Sequence, residues 1–192
     1  ELFDLRFQPW TGGGEHFCFF NQPSAAEANY QMFWKALRPL LADNTTAEAE
    51  LDAVRDGIGE AMADAINGMW ASKLGLSTPA PELAQELLGL MLASKLDYTI
   101  FFRQLSEIPD TIEPLKASFY AGSTEELDGK WHSWMQRWRE LLESQGNLDG
   151  ASAAMKRANP AITWREWLVA PAYEQAREGD TTLIKELQQV FS

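Results

Sequence analysis

From Ser24 onward, apolar residues recur every three or four positions almost without a break, and that spacing restricts the chain to amphipathic helices. Ala25, Ala28, Met32, Phe33, Ala36, Leu37 and Leu40 fall on one face. Leu51, Val54, Ile58, Met62, Ala65 and Met69 repeat the pattern over a longer stretch. Lys73-Leu74-Gly75-Leu76 ends that run, with Gly75 placed for the left-handed turn that closes a helix. Pro81 suits the first turn of a next helix, which carries Leu83, Leu87, Leu90 and Met91 toward Asp97. Later faces are set by Leu127, Trp131, Trp134, Trp138, Leu141 and Leu142, and by Leu183, Ile184, Leu187, Val190 and Phe191. Thr45 with Glu48, Ser123 with Glu126 and Thr163 with Glu166 stand at capping-box spacing, so each pair predicts a helix start.

The predicted architecture is all-α, a single helical domain of about seven to nine helices over residues 24–192. An irregular arm over residues 1–23 precedes it, holding Pro9, the triplet Gly12-Gly13-Gly14 and aromatics without a helical period. The expected core contains Phe33, Leu37, Ile58, Met62, Leu87, Phe101, Leu105, Trp134, Trp138, Leu168 and Leu187. The arm's Phe3, Phe7, Trp10, Phe19 and Phe20 are too many aromatics to leave in water, so they form the candidate docking surface for a partner. Trp131, Trp134, Trp138, Trp164 and Trp167 have two readings, core or recognition surface.

Charge narrows the function. Sixteen Lys and Arg against 28 Asp and Glu give a net charge of −12. That balance lacks the basic footprint of a nucleic-acid binder and disfavours anionic lipid. The lone Cys18 cannot form an internal disulfide or a multi-cysteine zinc site and reads as a small buried hydrophobe. No apolar run nears the roughly 20 residues of a membrane span. A chain that begins at Glu1 reads as a processed or partial form of a longer product, with an organellar or a cytoplasmic address both open.

No self-contained catalytic constellation emerges. The glycine triplet is followed by Glu15, the wrong charge for a phosphate loop, and His16 and His132 are too few for a metal centre. Asp97 and Arg103 lie in an aromatic segment, where a buried charge must be paired; a structural Asp–Arg or Arg–backbone anchor is the expectation, with ligand contact as the alternative.

Several ordered motifs resemble the C-terminal part of the selenoprotein-O (SelO, YdiU-type) family. They are Asn21-Gln22-Pro23 with Asn29, Lys73-Leu74-Gly75-Leu76, Asp97-Tyr98-Thr99 with Phe101-Phe102-Arg103 and Leu105-Ser106, then Asn159-Pro160, Arg165 and Gly179-Asp180. The resemblance implies the helical C-terminal portion of a kinase-like fold, in a family that moves AMP from ATP onto protein hydroxyls. It also implies that the residues for ATP and a divalent metal lie upstream, in a part these 192 residues do not contain. The motif residues are therefore expected to be structural, and the chain to be a non-catalytic interaction module without a cofactor of its own. Its partner would be the missing catalytic lobe or another protein. The alternative is a stand-alone scaffold or linker subunit of a larger, organellar assembly.

Overall fold

A computed structural model describes residues 3–7, 14–122, 124–146 and 148–191, with the side chains of His16, Phe17 and Asp149 not described. Trp10, Gly12, Gly13 and Ser123 lie outside the described residues. The fold is all-α. Eight α-helices run in order among those residues: α1 Gln22–Leu37, α2 Thr45–Leu74, α3 Pro81–Ser94, α4 Tyr98–Leu105, α5 Glu125–Ser144, α6 Leu148–Ala158, α7 Glu166–Arg177 and α8 Thr182–Phe191. Short 3-10 turns over Gly14–Phe17, Phe19–Asn21, Arg38–Leu41 and Glu113–Ser118 link them, and one isolated bridge pairs Leu96 with Phe119. No described helix is long and apolar enough to cross a membrane.

The chain divides into two compact units, Asp4–Trp70 and Glu1–Phe3 with Ala71–Ser192, and the boundary falls inside α2. In the second unit the core is strongly aromatic. Trp131, Trp134 and Trp138 recur at helical spacing along α5 and are fully buried with Phe101, Phe102, Leu87, Leu105 and Met91. Their indole N–H groups donate to Ser94 Oγ, Leu83 O and Leu74 O at 2.8, 2.9 and 2.9 Å, so burial leaves none of the three unsatisfied. The rings also meet each other, Trp131 edge-on to Trp134 and Trp134 stacked on Trp138. Phe3 belongs to this unit too: its N–H donates to Leu96 O and its ring stacks on Tyr98.

In the first unit α1 turns Trp34 toward α2, where its indole donates to Asp52 and its ring lies under Arg38 and Arg55. That choice of face overturns part of the predicted core. Phe33 is 58% exposed and Met32 64%, because they lie on the side of α1 away from Trp34, and Leu40 in the 3-10 turn after α1 is 79% exposed. Leu37, Ile58, Met62 and Leu168 are half-buried, and Val190 is exposed, while Leu187 is buried as expected.

The capping boxes also shift. Asn44, not Thr45, caps α2 by accepting from the Ala47 N–H, since Asn is as good a cap as Thr and stands one residue earlier. Thr124 caps α5 by accepting from the Leu127 N–H. Thr163 caps nothing: Arg165 is the residue before α7, and its side chain is engaged elsewhere.

Candidate functional site

The end of α2 is the natural starting point, because a helix leaves its last four carbonyls without internal partners. Gly75 adopts φ +71 and closes a Schellman turn: the Leu76 N–H donates to Ala71 O and the Gly75 N–H to Ser72 O. The next carbonyl, Lys73 O, accepts from Asn159 Nδ2 at 2.9 Å, and Leu74 O accepts from the Trp138 indole. All four are thereby satisfied in the interior. A Cβ on Gly75 would stand 2.9 Å from Met155 Cγ and Sδ, so glycine is required both for the turn and for the close approach of α6.

Asn159, fully buried, ties the C-terminal ends of α2 and α6 together. Its Oδ1 accepts from Lys73 Nζ at 3.0 Å, and its Nδ2 also reaches Ser106 Oγ. Lys73 Nζ sits over the rings of Phe102 and Tyr98, 4.6 and 5.0 Å from their centroids. Burial pushes this ammonium down to about 8, since no carboxylate among the described residues pairs with it. Burial likewise raises the Tyr98 phenol well above its ordinary value.

Arg103 donates to the carbonyls of Lys156 and Asn159 at 3.3 and 3.4 Å, holding the last turn of α6. Arg103 is thus an Arg–backbone anchor, and the guanidinium partner of Asp97 is Arg165. Asp97 Oδ2 and Oδ1 accept from the two arms of Arg165 at 2.8 and 2.9 Å. The same carboxylate accepts from the Tyr120 hydroxyl at 3.1 Å, and it caps α4 by accepting from the Ile100 N–H at 3.0 Å. Burial alone would raise the Asp97 carboxyl, but the group is held well below the usual carboxylate range, with the Arg165 fork first and the Ile100 amide next among the causes that lower it.

The structure therefore brings Lys73, Gly75, Asp97, Tyr98, Phe101, Phe102, Arg103, Asn159 and Arg165 into one unit, with Pro160 exposed just beyond Asn159. Gly179, with φ +93, and Asp180, whose carboxylate caps α8 at the Thr182 N–H, make a separate turn. Asn21, Gln22 and Pro23 start α1, with Asn21 Nδ2 donating to Glu15 O and Gln22 Nε2 to Cys18 O; Asn29 is exposed on that helix. Sequence reasoning missed Tyr120, and it placed Ser106 in a motif without giving it a partner. It also could not pair Lys73 with Asn159, because no periodicity links residues 86 positions apart.

The arm residues separate. Phe3 is buried in its own unit and so is unavailable to a partner, Phe7 and Phe19 are exposed, Phe20 is half-buried against Trp70, and Trp10 lies outside the described residues. Cys18 is buried, its thiol directed to Arg6 O. Among the tryptophans, Trp164 and Trp167 are exposed, Trp164 stacking on Phe191. An open groove of about 730 Å3 between α3 and α5 is lined by Gly89, Ala93, Gly129 and Ser133, with Arg137 forked onto Glu86 across it.

A triphosphate needs cations free to face it. Lys73, Arg103 and Arg165 instead face rings, carbonyls and a carboxylate. What they define is an all-α unit whose charged groups pin helix ends to one another. The model of the family described as protein adenylyltransferase SelO matches residues 2–192, and the chain belongs to that family. A protein nucleotidyltransferase YdiU of Rhizobium etli is 33% identical over 184 residues, covering 92% of this chain and 36% of that protein. Its counterpart in Methylorubrum populi is 32% identical over 176 residues, covering 84% and 34%. That of Mycolicibacterium paratuberculosis is 34% identical, covering 89% and 34%. The chain thus spans about a third of the length of the curated relatives it matches.

Proposed function

We propose that these residues are the helical, non-catalytic portion of a SelO-type protein and serve as a structural and docking module for the part that transfers AMP from ATP to protein hydroxyls. The observation that carries this reading is the internal engagement of every charged side chain in the central motifs: Lys73, Asp97, Arg103 and Arg165 hold helix ends and each other. Nucleotidyl transfer depends on cations and metal positioned around phosphates, and side chains committed in this way do not supply them. ATP and a divalent metal belong, in this reading, to the two thirds of a relative-length protein outside the matched region. The partner is accordingly that remaining part.

The test is to incubate the 192-residue chain with labelled ATP, a divalent metal and a protein acceptor. No label on the acceptor is expected, and calorimetry with ATP should give no saturable heat. Metal-dependent labelling by this chain would overturn the reading. The length of the native gene product separates the docking module from a stand-alone scaffold subunit: a product near 192 residues favours the scaffold, a much longer one the module.

A further inference from the structure

Most exposed apolar residues need no explanation, since over half of an ordinary protein surface is apolar. A continuous stripe along one helix is different. At about 100° per residue, Ala28, Met32, Phe33 and Ala36 centre on the side of α1 opposite Trp34, the residue turned to α2. All four are exposed, continuing from the buried Ala25, with Leu40 exposed in the 3-10 turn that follows, and the polar residue between Ala28 and Ala36 on that face is Asn29. This is the period of a helix face made for burial, and nothing among the described residues covers it.

We propose that this outward face of α1 is where the remaining part of a SelO-type protein packs. The inference rests on the docking-module reading above and adds the surface to it. Length argues for that occupant: the matched proteins extend about three times as far as this chain, so most of such a protein lies outside it. Charge supplies the rim. Residues 4–70 carry ten acidic against four basic side chains, so the covering surface is apolar with Lys and Arg around it, and offers Asn29 a hydrogen-bonding partner.

The experiment uses a chimera in which this chain replaces the matched region of the Rhizobium etli protein, compared with the 192-residue chain by hydroxyl-radical footprinting. Labelling of Met32 and Phe33 should fall by about tenfold in the chimera, as expected when side chains pass from water into a packed interface. Protection of Trp167 without Met32 and Phe33 would overturn the proposal while leaving the docking-module reading standing. Protection at none of them would overturn both. A second measurement needs only the isolated chain. Met32→Glu/Phe33→Glu should keep its melting temperature within about 1 °C, as for surface substitutions. A clear drop would mean that the stripe is already packed, and a wild-type dimer dissociated by this variant would assign the face to a second copy. Either result overturns the proposal.

Discussion

Helices α1 and α5 both carry tryptophan on an amphipathic face, yet they use it in opposite ways. On α5 three tryptophans are fully buried, each N–H donating to a buried acceptor. On α1 the single tryptophan is half-buried between two arginines, and the stripe of Met32, Phe33 and Ala36 faces water. The same contrast holds for charge. In Ala71–Ser192 the motif cations end on carbonyls, rings and a carboxylate inside the unit. In Asp4–Trp70 Arg38 and Arg55 form half-exposed pairs with Glu48, Asp52 and Asp56, which contribute little. The face of α5 is packed inside its own unit; the outward face of α1 is exposed to solvent.

The sharpest way to break this comparison is Trp138→Ala. Removing a fully buried aromatic costs about 3–5 kcal/mol, and here it also strips Leu74 O of its donor. Urea unfolding of the variant should register that loss, and an unchanged midpoint would mean that α5 is no more self-sufficient than α1.

Next comes the Asp97–Arg165 pair. Asp97→Asn should cost about 3 kcal/mol at neutral pH, because Arg165 keeps a partly buried charge without its counter-ion. The folded-state carboxyl titrates below its unfolded value, so its stabilisation is present above about pH 4. It is lost as pH falls through the folded value. Stability measured against pH should therefore show wild type and variant converging below about pH 4.

Gly75→Ala sharpens the same point at the backbone. The left-handed conformation costs a side chain about 1–2 kcal/mol, and the new methyl must displace Met155. A loss of about 2 kcal/mol in denaturant unfolding is expected, with α6 as the element disturbed.

The smallest effect belongs to Lys73. Its folded value of about 8 lies below the unfolded value of about 10.4, so between them the unfolded chain binds more protons and stability rises with pH. Tyr98 opposes the rise above about pH 10, where its unfolded form ionises first. Lys73→Met should abolish an increase of about 1 kcal/mol between pH 8 and 10, allowing for partial exposure.

The all-α class, the glycine turn at Gly75 and the helix beginning at Pro81 were legible in the sequence because each is a local rule of period or backbone angle. Buried faces were legible where one apolar stripe had no competitor, as at Trp134 and Trp138. On α1 two faces competed, Trp34 with its arginines against Met32 and Phe33, and periodicity could not choose between them. Caps missed by one residue at Asn44 and Thr124, since adjacent Asn, Ser and Thr offer equivalent oxygens and the backbone angle decides. The anchors Lys73–Asn159 and Asp97–Arg165 join residues 86 and 68 positions apart, so only tertiary packing could pair them.

Native-state hydrogen exchange tests the contrast between the two regions most directly. Amides of α5 around Trp134 should exchange only through global unfolding, while those of α1 around Phe33 exchange through a local opening at least about 2 kcal/mol cheaper. Equal exchange free energies in the two helices would contradict the contrast between a fully packed α5 and an α1 whose outward face is exposed.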